Sequence, residues 1–159
     1  MLIRPIDVIE ADILADDPVR PHISKADRLT NGREVYVLED HSECCKSTMP
    51  ECAGEITAVV CVAYTNRIPK DENELQKFNE FNGSNAIFYT VWSYRKGAGR
   101  KIILEVAKQL KKKGWVQRYV TLSPLTEMAE KFHLRNGAKL IHKGYTCQNF
   151  EYFMEKENA

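Results

Sequence analysis

At 159 residues, 43% hydrophobic and 28% charged, the chain suits one domain that buries roughly two-thirds of its unfolded surface, which excludes a scaffold needing staples. The net charge is only +1, but residues 1–94 hold 9 Lys/Arg against 16 Asp/Glu, and residues 95–159 hold 14 against 6. No window approaches about 18 apolar residues, the start Met1-Leu2-Ile3-Arg4-Pro5-Ile6 lacks the pattern of a signal peptide, and five cysteines with two adjacent make a poor disulfide framework. A cytoplasmic protein in a reducing compartment, without a membrane segment, is the expectation.

Ile3 and Ile6 predict a short first strand, and Ile9 to Leu14 a helical segment that stops before Pro18. Residues 18–31 read as irregular and polar. Arg33 to Leu38 alternates charged or aromatic with aliphatic residues, as a strand does, and a polar loop rich in Cys, Ser and Glu follows to Gly54. Ile56 to Tyr64 is nearly continuous in apolar and β-branched residues, the mark of a central strand covered on both faces. Residues 66–84 form a charged insertion with a short helix predicted from Glu72 to Phe81. A further apolar strand spans Ala86 to Trp92. Ile103, Val106, Ala107 and Leu110 then fall at i, i+3, i+4 and i+7 and give one apolar face to a helix over 101–113. Gln117 to Leu122 is the next strand, and Ser123-Pro124 reads as the N-cap and first residue of a helix running to Asn136. Ala138 to His142 and Asn149 to Met154 close the chain as strands. The pattern predicts an α/β (α+β) fold around one mixed sheet, in a single domain over 1–159.

The segment Tyr94-Arg95-Lys96-Gly97-Ala98-Gly99-Arg100 carries the first chemistry, because it joins a strand to a helix through a basic, glycine-containing turn. The first N–H groups of a helix have no intrahelical partner and sit at the positive end of its dipole, so such a turn is built to hold an anion. Arg95, Lys96 and Arg100 add the charge that more than one phosphate requires. Lys111-Lys112-Lys113, at the far end of the same helix, reads as a solvated face that complements the dipole.

The order of elements over 85–140 resembles the core of the GCN5-related N-acetyltransferase (GNAT) superfamily. Its first signature, Q/R-x-x-G-x-G/A after a strand, is similar to Tyr94-Arg95-Lys96-Gly97-Ala98-Gly99. Its second, N-x-x-A-x-x-L-Y-x-x-x-G-F, is similar to Thr126 to Ala138, with agreement at Ala129, Phe132 and Gly137. The chain is similar, too, to short acetyltransferase-like proteins carried by bacteriophages. The resemblance implies a mostly antiparallel sheet of six to seven strands flanked by helices. It also implies an acyl-CoA-dependent N-acyltransferase whose co-substrate is acetyl-CoA and which needs no metal. Arg95, Lys96, Gly97, Ala98, Gly99 and Arg100 would hold the pyrophosphate, Val91 and Trp92 would align the pantetheine, and Thr126 would add a polar contact. The strands 86–92 and 117–122 would splay around the thioester, and an amine acceptor, small molecule or protein, would attack it directly.

Three departures stand out: Tyr94 replaces Gln/Arg, Thr126 replaces Asn, and His133 takes the place of the tyrosine that protonates the departing thiolate. A histidine with its usual pKa near 6.5 suits that task, which makes His133 the candidate general acid. General-base candidates are Glu39, Asp40, Glu55, or Tyr89 through water, none of them favoured over an ordinary structural role. The departures leave open a rival: a GNAT-fold interaction module without chemistry, directed at a protein or, less favoured, a nucleic acid. His41, Cys44, Cys45 and Cys52 supply enough N and S ligands for zinc, but the absence of a C-x2-C pair argues against a standard site.

Overall fold

Strands form where β-branched and aromatic side chains crowd, since those residues lose little freedom on a pleated surface covered by neighbours. The computed structural model describes residues 1–41 and 54–154. Its strands are β1 (Leu2–Pro5), β2 (Arg33–Asp40), β3 (Glu55–Thr65), β4 (Asn85–Ser93), β5 (Arg118–Thr121), β6 (Ser123–Pro124), β7 (Lys139–Lys143) and β8 (Cys147–Tyr152). They join one eight-stranded sheet in the order β1-β2-β3-β4-β5-β8-β6, with β7 on β8. Every pairing is antiparallel except β4 with β5. The helices are α1 (Lys25–Arg28), α2 (Glu72–Lys77), α3 (Ala98–Lys113) and α4 (Glu127–Arg135), and a 3-10 helix covers Val8–Asp16. The α/β class and mostly antiparallel sheet are as the sequence predicts; the two-residue β6 takes the count past the expected six or seven.

The sheet separates two cores. On one face the apolar stripe of α3, Ile102, Ile103, Val106, Ala107 and Leu110, packs on Leu38, Val60, Val62 and Phe88. On the other, Ala11 and Leu14 of the 3-10 helix and Leu75 of α2 cover Val35, Val37, Val59, Cys61, Ile87 and Val120. β3 is buried from Thr57 to Thr65, which explains its unbroken apolar run.

Three boundaries differ from expectation for local reasons. α3 begins at Ala98, because Gly97 in the left-handed region (φ 83°) turns the chain directly into the helix. α2 stops at Lys77, and the N–H of Phe78 closes its last turn onto Glu74. Thr126, not Ser123, caps α4: its Oγ1 accepts from the N–H of Ala129 at 3.2 Å. Ser123 and Pro124 instead pair with Gln148 and Cys147 of β8 as the short β6.

Candidate active site

β4 and β5 run parallel only from Asn85–Arg118 to Phe88–Thr121. The N–H of Leu122 makes a last bond to the carbonyl of Phe88, 3.1 Å away, and β4 then continues alone to Ser93 while the other chain turns into β6. The parting point coincides with a bulge: Cys61 of β3 faces Thr90 and Val62 faces Phe88, so Tyr89 is an extra residue. The splay therefore starts at residue 89, within the strands the sequence singled out. It opens a cavity of about 510 Å³, bounded by the tail of β4 (Tyr89 to Ser93), Gly99 of α3, Leu122 to Pro124, and Met128, Ala129, Phe132 and His133 of α4. Val91, Trp92, Gly99, Thr126 and His133 all line it. Thr126 caps α4 with its hydroxyl oxygen, and its O–H proton is still available to donate.

The basic turn meets the cavity at Gly99, while Gly97 and Arg100 line a separate groove along α3. The N–H of Ala98 closes on the carbonyl of Arg95 and that of Lys101 on the carbonyl of Gly97, so the N–H groups of Gly99 and Arg100 find no backbone acceptor among the described residues. They stand at the positive end of a 16-residue helix. The cations divide. Arg95 is held by Asp40 at the end of β2 and Glu55 at the start of β3, bonds that raise its pKa. Lys96 and Arg100 have no acidic partner among the described residues. Tyr94, the departure at the start of the turn, bridges elsewhere: its hydroxyl donates to Asp16 (2.6 Å) and accepts from the Trp92 indole (3.0 Å).

His133, also on the cavity wall, is only 4% exposed. Its ring stacks on Phe150 (centroids 5.1 Å apart) and meets the edge of Phe132 at 5.0 Å. Burial pushes its pKa down to about 4, so at neutral pH the ring is uncharged. Its Nδ1 lies 2.8 Å from the hydroxyl of Tyr152, which also accepts from Asn136 Nδ2 at 3.2 Å. If the Tyr152 hydroxyl accepted from both, its own buried proton would have no acceptor, which is costly. Tyr152 therefore donates to Nδ1, and the imidazole proton sits on Nε2.

Of the general-base candidates, the three carboxylates lie apart from the cavity. Glu39 is buried and tends upward in pKa for that reason, but hydrogen bonds from Arg4 (2.6 Å) and His41 (2.8 Å) hold it below the usual range. Asp40 and Glu55 are engaged by Arg95. Tyr89 lines the cavity, yet burial raises its pKa far above neutrality, and its hydroxyl has no partner among the described residues. No carboxylate lines the cavity among the described residues. Cys44, Cys45 and Cys52 lie outside the described residues; among those described, no group of three His, Cys, Asp or Glu is placed to hold a metal.

No family model matches the sequence, and no curated protein is detectably similar to it. Solved structures are. The NAA60 of Arabidopsis thaliana in complex with acetyl-CoA superposes with a TM-score of 0.60 at 15% identity, over 96% of this chain and 98% of that one. The GNAT domain of PAT from S. lividans gives 0.60 at 14%, covering 94% of this chain and 88% of that one. The chain has the GNAT fold. It also matches malonyl-CoA decarboxylase from Agrobacterium vitis (TM-score 0.61, 20% identity) over 82% of its own length, but spans only 35% of that protein.

On this GNAT fold the structure adds one group that sequence reasoning missed. Residues 18–31, read as irregular, bring Arg20 to the cavity wall: Nη1 donates to the carbonyl of Tyr89, freed by the splay, and Nε donates to Glu72 at 2.8 Å. Its partners lie 52 and 69 residues away, and no local pattern announces such bonds. Tyr152, beneath His133, was equally silent, since it reads as one more aromatic on a closing strand.

Proposed function

We propose that the protein is an acyl-CoA-dependent N-acyltransferase, with acetyl-CoA as the simplest co-substrate. One observation carries this reading: a left-handed glycine turn presents unpaired helix N–H groups beside a cavity that begins where β4 and β5 part. In this reading Gly97 to Arg100 take the pyrophosphate, with Lys96 and Arg100 supplying the charge. The free edge of Val91 and Trp92 pairs with the pantetheine arm, and an N–H of that edge polarises the thioester carbonyl. The NAA60 structure, which holds acetyl-CoA, supports the assignment by its shared fold.

The acceptor nitrogen attacks the carbonyl carbon, the tetrahedral intermediate collapses with cleavage of the C–S bond, and the thiolate leaves. His133 enters uncharged, so its part is a hydrogen bond from Nε2–H to the departing sulfur rather than delivery of an imidazolium proton. With no carboxylate on the described cavity wall, the proton of the amine passes to water on the side where Asp71 and Glu72 border a second groove. Calorimetry tests the cofactor: acetyl-CoA should bind at tens of micromolar or better. Gly99→Trp should abolish binding, because a Cβ at Gly99 already touches Phe132 at 3.4 Å and the larger ring has only the cavity to enter. No binding by the native chain, or binding indifferent to Gly99→Trp, removes the assignment.

The bare cavity wall and the uncharged His133 also favour a second reading, a GNAT-fold interaction module that binds CoA without turnover. Thiol release from acetyl-CoA over a panel of amines, polyamines and peptides separates them. Persistent silence despite tight CoA binding favours the module. A nucleic-acid partner would show as salt-steep binding lost on charge reversal at Lys111 to Lys113.

A further inference from the structure

The guanidinium of Arg20 is a buried charge that its neighbours satisfy only in part. It is 3% exposed. Of the five N–H donors that an arginine carries, one goes to Glu72, one to the carbonyl of Tyr89, and one points at the sulfur of Cys147 at 3.8 Å, a weak acceptor at long range. Two have no acceptor among the described residues. Asp17, the carboxylate nearest in sequence, does not help: Oδ2 is bound by Arg28 at 2.7 Å, and Oδ1 by the N–H groups of Val19 and Arg20 and the hydroxyl of Thr90. Glu72 is half-exposed and divides its two oxygens between Arg20 and His22. A guanidinium so enclosed carries a desolvation cost that one shared carboxylate offsets poorly.

Its position is equally telling. From Tyr89 on β4 to Cys147 on β8, Arg20 spans the gap that opens where β5 ends. Val19, Arg20 and Pro124 form a wall common to the splay cavity and to the second groove, which Asp71, Glu72, Asn73, Thr146 and Cys147 complete. A ligand reaching the thioester from either side passes this charge. Asp17 and Arg28 lock the loop beneath it, and Arg28 also donates to the carbonyl of Arg20 at 2.6 Å, so the side chain is held ready.

The geometry points to Arg20 as an anchor for a carboxylate of the reacting partners, carried either by the far end of the acyl group or by the acceptor beside its amine. The inference rests on the acyltransferase reading and sharpens it to acidic acyl groups or amino-acid-like acceptors. Carboxylates take N–H···O bonds from a guanidinium, and Nη1 and Nη2 each keep one spare donor for such a group.

Two arms distinguish the sources. In the first, an acyl-CoA ending in a carboxylate is compared with the uncharged acyl-CoA of equal length; in the second, an α-amino acid is compared with its amide, using acetyl-CoA. The arm that carries the source should show about a 10- to 100-fold lower KM for the charged member, and Arg20→Gln should erase that preference while Arg20→Lys retains part of it. A third measurement needs no turnover and covers poor folding of the variants: thermal stabilisation of the native chain by succinate, with succinamide and inorganic phosphate as controls. Succinate should raise Tm more than succinamide does, and Arg20→Gln should lose that difference, whereas phosphate, which the basic turn also takes, should act alike on the native chain and on Arg20→Gln. Equal response to succinate and succinamide, no response to either, or a charge preference that survives in Arg20→Gln overturns the anchor. Loss of acetyl-CoA binding in calorimetry would fail the cofactor reading instead, and succinate stabilisation that depends on Arg20 would still uphold the anchor.

Discussion

His133 shows how a residue's position can be read from sequence while its charge state cannot. Its place was legible, because Ala129, Phe132 and Gly137 fix the register of the second signature around it. Its protonation was not, because Phe150 and Tyr152 come from β8 and reach the ring only through the fold. The consequence is a pH dependence of known sign. An ordinary histidine has a pKa near 6.5, and His133 in the folded chain is lowered to about 4. Between these values the unfolded chain binds more protons, so stability is full above about 6.5, falls as the pH drops, and levels off below about 4. The loss attributable to this one ring is about 3 kcal/mol. Urea midpoints from pH 4 to 8 should show it, and His133→Phe should flatten that part of the profile; an unchanged slope in the variant would place the titration elsewhere.

At the scale of elements, the turn before α3 was readable almost whole, since a glycine in the left-handed region is a local requirement and needs no knowledge of neighbours. Gly97 has φ 83° and open space around it, so a side chain there meets no atoms, only backbone strain. Gly97→Ala should lower stability by about 1–2 kcal/mol and weaken CoA binding by misplacing the N–H groups. Gly99→Ala, in an ordinary helical conformation with its nearest neighbour at 3.4 Å, should do neither. Paired chemical denaturation and calorimetry of the two variants check this, and equal losses would refute the distinction. The bulge was the part the sequence withheld. Strict alternation along β4 puts Val91 on the face of Tyr89 and Trp92 on that of Phe88. With Tyr89 as an extra residue, Trp92 joins Tyr89 in the core under the 3-10 helix, and Val91 packs with Phe88 on the side of α3. Nothing in the string Phe88-Tyr89-Thr90-Val91 marks the slip; it is decided by β3 opposite.

Across the whole molecule, the splay cavity depends on charges buried far from the turn. Arg28 and Asp17 are fully enclosed, and between them they tie residues 17–28 to Thr90 of β4. Arg28→Met would leave Asp17 charged, buried and without its cation, at an expected cost of about 3–5 kcal/mol. Adding Asp17→Asn should recover much of that loss, because an amide oxygen still accepts from Val19, Arg20 and Thr90. Urea titration of the single and double variants gives the coupling, and simple additivity would mean that the pair is not a unit. This network could not be read from sequence: 17–28 carries no periodicity, and its charges look like those of any surface loop until the sheet encloses them.

The anchoring of Arg95 by Asp40 and Glu55 has a consequence for how the protein should respond to its ionic surroundings. Three cations stand in the basic turn, but one is already matched by two carboxylates from the acidic part of the chain. An incoming polyphosphate therefore meets Lys96 and Arg100 beside an Arg95 that its two carboxylates outweigh, and its affinity should decline with added salt less steeply than at a site of three open cations. Neutralising Asp40 and Glu55 would return the third cation to the turn and steepen that decline.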